Sequence, residues 1–329
     1  MNNNNFLLIG YLSNSDKVFY NYLDNVLIKN LIKNGAKIIN LNLEDLSIKI
    51  NNNNNNNIQN KITILNKNKP IELNGFISYG YMSKFHFEAY KYIIEAFNKK
   101  NIPLLYSPKI INILSNKYLQ SLNFIKHNIP VPKTGISFSI KGFKNLSNLN
   151  FNKKSILKEL FDYGGDGVSF HENKESLINS AAKKLWKNEY SLFQKYINDS
   201  FGRSIRVLFI EEKPIAIAEY INKNNNFKSN NSFGYDNFSL VSLMNSKKRK
   251  IYENLAKKAV NSINLNNKEN MLITGVDILD SKKYGNLILE VNPWPDIFDI
   301  QKSTNINVFD LLSKCFINKV KNNMNKIKI

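Results

Sequence analysis

A strand–helix–strand pattern within the first 43 residues constrains the fold of this chain more than any other feature. The apolar run FLLIGYL (6–12) is typical of a buried strand, and a helical pattern follows over residues 17–33. Gly35 ends that helix, and AKIINLNL (36–43) forms the next apolar strand. Two consecutive strands joined through a helix predict a parallel pair, because parallel strands need a long crossover. The chain is therefore predicted to begin as an α/β protein.

Further elements complete this first unit. A run of seven Asn at 51–57 is low-complexity sequence and is expected to be an exposed loop. GFISYG (75–80) predicts another strand, a helix is expected over 84–99, and NIPLLYSP (101–108) predicts a short closing strand.

The pattern changes after residue 108. A helix over 116–128 must end before Pro130 and Pro132, since proline cannot continue a helix. Further helices are expected near 174–187 and 246–264. Strands are expected at 155–160, 167–172, 190–197, 204–210, 214–221, 271–279 and 286–292.

The formal charge of +20 allows several interpretations. It could attract nucleic acid, an anionic membrane or acidic small substrates, but the lysines are spread along the chain, as general over-use of Lys, Asn and Ile would produce. The single cysteine, Cys315, excludes an internal disulfide and fits a reducing compartment. The apolar run near the start is too short for a membrane span and lacks a signal peptide's basic region, so a cytoplasmic protein is expected.

The last two predicted strands carry three oxygen-bearing side chains. If they pair as a hairpin around the DSKKYG turn, Asp277 lies opposite Glu290 and shares its face with Asn292. Two carboxylates and an amide oxygen suit Mg²⁺, whereas two buried acids without a cation would repel each other. The alternative is a strand end that becomes polar as it reaches water.

KELFDYGGDGV (158–168) places a lysine on a strand before a glycine-rich loop. Backbone N–H groups and an ammonium group can bind nucleotide phosphates in this way, although the segment matches neither the dinucleotide fingerprint nor the P-loop. An ordinary hairpin turn is the alternative.

Two further segments carry cations. Arg203 and Arg206 introduce the strand in FGRSIRVLF (201–209), where an arginine could bind a phosphoryl group or a carboxylate, or form a surface ion pair. Lys228 and Asn230 lie in a polar loop that could contact phosphate oxygens or be only an Asn-rich loop.

These segments, taken in order, resemble the ATP-grasp superfamily and, within it, the RimK-type alpha-L-glutamate ligases. The resemblance covers nearly the whole chain. It is carried by GAKIINLNLEDL, IPLLYSPKIINILSNKYLQSLNFIKHNIPVPKTGIS, LFQKYINDSFGRSIRVLF, FKSN, TGVDIL and LEVNPWP. It implies an α/β and α+β protein, with a Rossmann-like N-terminal domain (1–108) before an ATP-grasp fold of a small subdomain (109–189) and a large subdomain (190–329).

The resemblance also implies roles for individual residues. The implied ATP-binding residues are two phosphate-contacting lysines, a glycine loop and a hinge at adenine: Lys117 and Lys158; Gly164, Gly165 and Gly167; Gln194, Lys195, Tyr196 and Ile197. The implied catalytic residues are Arg206 at the acyl phosphate, and Lys228 and Asn230 at the family's R-S-N motif. The implied ligands for Mg²⁺ or Mn²⁺ are Asp277, Glu290 and Asn292.

Two positions depart from the family's usual pattern. Lys195 stands where the family usually has Glu, and Ser204 stands where it usually has Asp.

The implied reaction joins L-glutamate to a carboxylate-bearing small molecule through an acyl phosphate made from ATP. The first choice of acceptor is the tail of a pterin or deazaflavin coenzyme, and a ribosomal-protein C terminus or an amino-group carrier protein stays open. A homo-oligomer also stays open. A basic nucleic-acid-binding protein is the alternative of another class, but it predicts a stripe of interleaved aromatic and basic residues, which this sequence lacks.

Overall fold

The structure is a computed structural model that describes residues 7–12, 18–51, 57–80, 84–150, 154–161, 167–224, 226–228, 238–264 and 269–327. The chain divides into two units, which are Met1–Ile111 with Asn267–Ile273 and Ile306–Ile329, and Asn112–Asn266 with Thr274–Asn305. The division into three domains made from the sequence stays a prediction.

The described residues form fifteen strands and ten helices. The strands are β1 (Leu7–Leu12), β2 (Ala36–Leu41), β3 (Leu46–Ile50), β4 (Ile62–Asn66), β5 (Lys69–Pro70), β6 (Gly75–Ser78), β7 (Thr134–Ile136), β8 (Ser155–Glu159), β9 (Val168–His171), β10 (Ser191–Lys195), β11 (Arg203–Ile210), β12 (Lys213–Asn222), β13 (Phe238–Ser242), β14 (Ile273–Ser281) and β15 (Gly285–Asn292). The helices are α1 (Val18–Lys33), α2 (Ile58–Lys61), α3 (Lys84–Lys99), α4 (Pro108–Leu114), α5 (Lys117–Lys126), α6 (Ile140–Asn150), α7 (Lys174–Trp186), α8 (Arg249–Ile263), α9 (Phe298–Thr304) and α10 (Val308–Ile327). Two 3₁₀ turns lie at Leu43–Asp45 and Asn198–Ser200.

The first unit contains the predicted parallel sheet, in the order β2-β1-β6. Both pairs that β1 makes are parallel, which confirms the expectation from the strand–helix–strand pattern. Gly75 begins β6 where α10 approaches closely, since a Cβ there would lie 2.8 Å from Val320 and 3.0 Å from Phe316. A larger residue at this contact would force the side chains of Val320 and Phe316 to move.

Two features of the first unit differ from the sequence predictions. The segment 101–108 is not a strand: only Tyr106 forms a bridge, to Met271, because Pro103 and Pro108 lack the N–H that a ladder needs. An antiparallel sheet, β3-β4-β5, was missed. The Asn-rich segment lies between β3 and β4, and its residues 52–56 fall outside the described part of the chain.

The second unit contains a four-stranded antiparallel sheet in the order β7-β10-β8-β9. Its core is formed by Phe143 and Leu177 from α6 and α7 packed on Leu157 and Phe193 from the sheet. Both helices pack on one face of the sheet, so its other face can form part of a binding site. The large subdomain was predicted to start at residue 190, immediately before β10. In the structure, β10 pairs with β8 of this sheet.

A five-stranded sheet, β13-β12-β11-β14-β15, forms the rest of the second unit. Helix α8 covers one face, where Tyr252 donates a hydrogen bond to Asp280 at 2.7 Å, and α9 packs on β12 and β13. Because side chains alternate along a strand, Arg206, Tyr220 and Asp277 project from the face opposite Asp280. Among the described residues, no helix is both long and apolar enough to cross a bilayer.

Candidate active site between the two sheets of the second unit

A cleft in the second unit is lined by residues from both of its sheets. It contains about 860 Å³ of empty space, a figure that includes space open to solvent. Predicted site residues that line it are Lys117, Lys158, Gln194, Lys195, Tyr196, Ile197, Lys228, Asp277 and Glu290. The structure therefore brings together side chains that are far apart in the sequence.

Lys117 is placed in the cleft by its position at the start of α5. The Asn116 side chain accepts hydrogen bonds from the N–H groups of Tyr118 and Leu119, at 3.0 and 3.1 Å, so it caps the helix. Buried Gln120 donates to the Val291 carbonyl at 3.1 Å and accepts from the Val291 N–H at 2.8 Å. This amide fixes α5 against β15 and was missed from the sequence, since nothing local distinguishes a bridging glutamine from a surface one.

Lys158 projects from the middle of β8, between Leu192 of β10 and Val168 of β9. The pKa of its ammonium is lowered to about 8, chiefly by burial and also by Lys117, while Glu290 and Asp277 oppose the shift. The free site thus holds an ammonium group that loses its proton easily. An incoming anion would restore that proton.

The predicted hinge, Gln194–Ile197, comprises the last two residues of β10 and the two residues after it, at the cleft. The Lys195 N–H donates to the Lys133 carbonyl at 2.8 Å, and the Tyr196 N–H donates to the Lys154 carbonyl at 3.2 Å. These two donors are used inside the protein, so an adenine would be bound by other groups of the segment. Lys195 stands over the Tyr284 ring, 4.6 Å from its centroid.

Apolar walls complete the cleft, and the sequence analysis missed them. They are formed by Pro132, Ile156, Val168, Phe227, Leu279 and Leu289. Phe170 contacts both Tyr196 and Phe227, with ring centroids 4.8 and 5.6 Å apart. A usable signal existed, because Ile156 and Leu279 stand two residues from Lys158 and Asp277 on the same strand faces.

The predicted pairing of the two acidic residues is confirmed. Asp277 lies opposite Glu290 in the β14–β15 ladder, and Gly275 lies opposite Asn292. A bulge after Asp277 shifts the register by one residue toward the turn, where Ser281 pairs with Gly285. The prediction at the acidic end is unaffected, but the bulge also turns Leu289 into the cleft beside Glu290.

Asn292 has a structural contact as well. Its side-chain oxygen accepts the Trp294 N–H at 3.0 Å, and the residue is absent from the cleft lining. Within the described residues, no group of three or more His, Cys, Asp or Glu could hold a metal ion, so a third ligand would be of another kind, such as the Asn292 amide. The three-ligand metal site stays a prediction.

Arg206 is buried beside the cleft and binds Asp277 through its Nε and Nη2 atoms, at 2.7 and 2.8 Å. Burial lowers the pKa of the guanidinium, but Asp277, Tyr220 and Asp296 together raise it, so the net pKa lies above its ordinary value. Burial raises the pKa of Asp277, which Arg206 opposes. The structure therefore joins the predicted catalytic arginine to a predicted metal ligand.

The other predicted residues are placed as follows. Lys228 lies at the cleft, and its carbonyl accepts from the Asn222 side chain at 2.8 Å. Gly167 precedes β9, where its carbonyl accepts the Glu159 N–H at 3.0 Å. Gly164, Gly165 and Asn230 lie outside the described residues.

Comparison with known proteins places this chain in a family. The family model for the RimK-like ATP-grasp domain matches residues 114–315. The chain belongs to the RimK-like ATP-grasp family. It is therefore an ATP-grasp ligase, an enzyme that forms amide bonds while converting ATP to ADP.

Two curated relatives of this RimK-like ligase act on different acceptors. The chain is 29% identical over 250 residues to the tetrahydromethanopterin:alpha-L-glutamate ligase of Methanocaldococcus jannaschii, covering 74% of this chain and 78% of the relative. It is 27% identical over 191 residues to the ribosomal protein bS6–L-glutamate ligase of Escherichia fergusonii, covering 58% of this chain and 59% of the relative.

The fold is also that of solved ATP-grasp ligases. The D-alanine–D-alanine ligase of Bacillus anthracis, complexed with ATP, superposes with a TM-score of 0.69 at 15% identity, covering 98% of this chain and 99% of that one. The fold class predicted from the sequence is thus confirmed.

Proposed function

We propose that this RimK-like ligase adds L-glutamate to a carboxylate-bearing acceptor through an acyl-phosphate intermediate made from ATP. The observation that carries the proposal is the meeting of Lys117, Lys158, Asp277 and Glu290 in one cleft of a chain from this family. Cations suited to phosphates and carboxylates suited to a divalent cation stand side by side there.

The nucleotide would enter with its base between the apolar walls and its phosphates at the lysines. Ile156, Val168 and Leu279 supply a surface for a flat ring, and Lys158 sits two residues beyond Ile156 on the same strand face. The charge of +20 would also draw ATP and an acidic acceptor toward the protein.

The carboxylate pair fits a magnesium ion, with Mn²⁺ as the other candidate. Asp277 and Glu290 would supply two hard oxygen ligands from paired positions, and the Asn292 amide oxygen would complete the protein's share. When bound, such an ion neutralises charge on the transferring phosphoryl group. Asp277 can bind an ion and Arg206 together because a carboxylate carries about four lone-pair sites.

The chain's own residues account for the remaining chemistry. An oxygen of the acceptor carboxylate attacks the terminal phosphorus of ATP, and ADP leaves with the bonding electron pair. Arg206, held rigidly by Asp277, would stabilise the resulting acyl phosphate, and Lys228 would bind its phosphate oxygens. The nitrogen of L-glutamate then attacks the acyl carbon, and inorganic phosphate leaves.

The acceptor is proposed to be the tail of a pterin or deazaflavin coenzyme. The methanogen relative, matched over 78% of its length, supports a pterin-type coenzyme. The ribosomal-protein ligase, matched over a shorter segment, supports a protein C terminus as the second candidate.

The decisive experiment supplies purified enzyme with Mg-ATP, isotope-labelled L-glutamate and three acceptors. These are tetrahydromethanopterin, a glutamyl deazaflavin coenzyme and a peptide with an acidic C terminus. Mass spectrometry follows the transfer of labelled glutamyl units, and ADP release is measured in parallel. Asp277→Ala serves as the inactive control, and Asp280→Ala, from the opposite face of the same strand, serves as the matched one.

Each outcome has a clear meaning. Label in either coenzyme supports the proposal, and label in the peptide alone moves the acceptor to a protein C terminus. ADP release with a different amine would remove glutamate from the proposal but keep the ligase. No ADP release with any acceptor and amine would contradict the proposed reaction.

A further inference from the structure

A second polar cluster lies beside Arg206, on the side away from the proposed phosphate subsite. Asp296 and Asp299 belong to the segment that follows β15 and enters α9. Pro295 packs on Gly275 next to the Arg206 side chain: a Cβ at Gly275 would lie 2.7 Å from Pro295 and 3.3 Å from the Arg206 Cδ. Asp296 follows Pro295 directly, and it is partly exposed to solvent.

Tyr220 of β12 is the third member of the cluster and also lies beside Arg206. Its ring lies 5.2 Å from the Arg206 guanidinium carbon, and it projects from the same sheet face as Arg206. The side chain is only 5% exposed, and its hydroxyl has no hydrogen-bond partner among the described residues. A buried hydroxyl without a partner loses its hydrogen bonds to water without replacement, so a bound ligand would stabilise it.

The charges of the cluster indicate what kind of ligand fits. Asp296 and Asp299 both interact electrostatically with Arg206, while Lys302, the other cation near Asp299, is exposed. Arg206 is already paired with Asp277, so Asp296 and Asp299, when ionised, have one remaining cation, Lys302, and one negative charge stays unbalanced. A cationic group with N–H donors balances that charge and can also donate to the Tyr220 hydroxyl.

We propose that Asp296, Asp299 and Tyr220 form the subsite that receives the ammonium group of the incoming amine. This inference rests on the proposed ligase function and adds the residues that bind its second substrate. Its position suits that role, because Arg206 separates the cluster from the carboxylates and lysines of the cleft. The amine would thus approach the acyl phosphate from the side opposite the leaving ADP.

The subsite would also prepare the amine for attack. An ammonium nitrogen has no lone pair, so the Asp299 carboxylate takes one of its protons and frees the electron pair. That pair forms the bond to the acyl carbon, the carbon–oxygen bond to phosphate breaks, and phosphate leaves with those electrons. The nitrogen loses its second proton to water, and the partly exposed Asp299 returns its own proton to solvent.

The charge environment of Asp299 matches this task. Its pKa is raised to about 7, because burial and then Asp296 raise it by more than Lys302 and Arg206 lower it. The groups that face it are Asp296, Lys302, Arg206 and Tyr220. A base of this strength exchanges protons with an amine near neutral pH.

The test compares Asp299→Asn, Asp296→Asn and Tyr220→Phe with the wild-type enzyme, using the acceptor and amine that give product. The KM for the amine is expected to rise about ten- to hundredfold in the Asp299 variant, while the KM for ATP stays near its wild-type value. The wild-type kcat/KM for the amine should rise through about pH 7, and this limb should flatten in Asp299→Asn. Matched controls are Asp280→Asn and Tyr252→Phe, which alter an aspartate–tyrosine pair on the opposite sheet face.

Hydroxylamine provides a second readout that does not depend on an ammonium group. It is largely uncharged at neutral pH and traps acyl phosphates as hydroxamates. The ratio of hydroxamate to amide is expected to rise about tenfold or more in Asp299→Asn. This ratio also separates a lost subsite from a misfolded variant, which would form neither product.

The results separate failure of this inference from failure of the proposed function. If wild-type enzyme uses an amine other than L-glutamate and Asp299→Asn raises the KM for that amine, the subsite stands and glutamate is wrong. If wild-type enzyme uses L-glutamate but Asp299→Asn keeps the wild-type KM for it and the wild-type ratio of hydroxamate to amide, or changes the Mg²⁺ requirement instead, the subsite is wrong and the function stands. Absence of product with every amine overturns both.

Discussion

Arg206 binds Asp277 through two parallel hydrogen bonds, from Nε to Oδ1 at 2.7 Å and from Nη2 to Oδ2 at 2.8 Å. Both residues are buried, on adjacent strands of the five-stranded sheet. One side chain was predicted to act at the acyl phosphate and the other to bind a metal ion. Their pairing makes the two proposed roles interdependent.

Replacing Arg206 by Ala should damage both stability and catalysis. The Asp277 carboxylate would be left buried without its partner, and the free energy of unfolding should fall by about 3–5 kcal/mol. Loss of the proposed acyl-phosphate contact should lower kcat by about 10²–10³-fold. Urea denaturation and steady-state kinetics measure the two effects.

Arg249→Ala is the matched control, because Arg249 pairs with Glu253 at 2.6 Å at a partly exposed position. Its free energy of unfolding should change by about 1 kcal/mol or less. Equal losses in the two variants would contradict the importance given to burial of the Arg206 pair.

ATP binding should take up a proton at Lys158. The pKa of the free ammonium is lowered to about 8, chiefly by burial, so at about pH 8.5 most molecules have lost this proton. Phosphate oxygens stabilise the charged form and raise the pKa, so the proton returns on binding. Calorimetry in buffers of different ionisation enthalpy would measure this uptake.

The uptake should disappear in Lys158→Gln and persist in Lys257→Gln, which changes an exposed lysine of α8. It should also decline toward about pH 6.5, where Lys158 already carries its proton in the free protein. An uptake that is independent of pH would place the phosphates elsewhere.

Glu290→Gln should raise the Mg²⁺ concentration needed for half-maximal activity. The substitution keeps the size of the side chain but removes one of two carboxylates in the proposed site, so an increase of about tenfold or more is expected. Removal of divalent cations with a chelator should abolish turnover in both proteins. Asp280→Asn, on the same hairpin but the opposite face, should keep the wild-type requirement.

Gly275→Ala, on the neighbouring strand β14, should displace the Arg206 side chain. The new methyl group would lie 2.7 Å from the Pro295 Cβ and 3.3 Å from the Arg206 Cδ, so one of them must move. We expect a loss of about 1–3 kcal/mol in the free energy of unfolding, together with a lower kcat.

Gly285→Ala separates stability from activity. A Cβ there meets nothing within 4 Å, but the φ of 74° makes any side chain unfavourable, at a cost of about 1 kcal/mol. Its kcat should stay near that of the wild type. If Gly275→Ala also left kcat unchanged, Arg206 would not be the sensitive group.

Local sequence was sufficient to predict features that depend on the alternation of side chains along a strand. Side chains alternate along strands, so the hairpin after Asp277 and its pairing with Glu290 could be predicted from the turn and the apolar pattern. The β3–β4 pair was missed although polar and apolar residues alternate in both strands. An Asn-rich segment joins them, in place of the short turn that usually signals a hairpin.

The sequence by itself determined the parallel start of the fold, the strands that carry Lys158 and Asp277, and the pairing of Asp277 with Glu290 in the last hairpin. Only the tertiary structure decided which of these groups meet. The Arg206–Asp277 pair spans 71 positions, and the cluster of Tyr220, Asp296 and Asp299 joins strand β12 to the segment after β15. Such contacts depend on how distant segments pack, whereas alternation and turn chemistry act between neighbours in the chain.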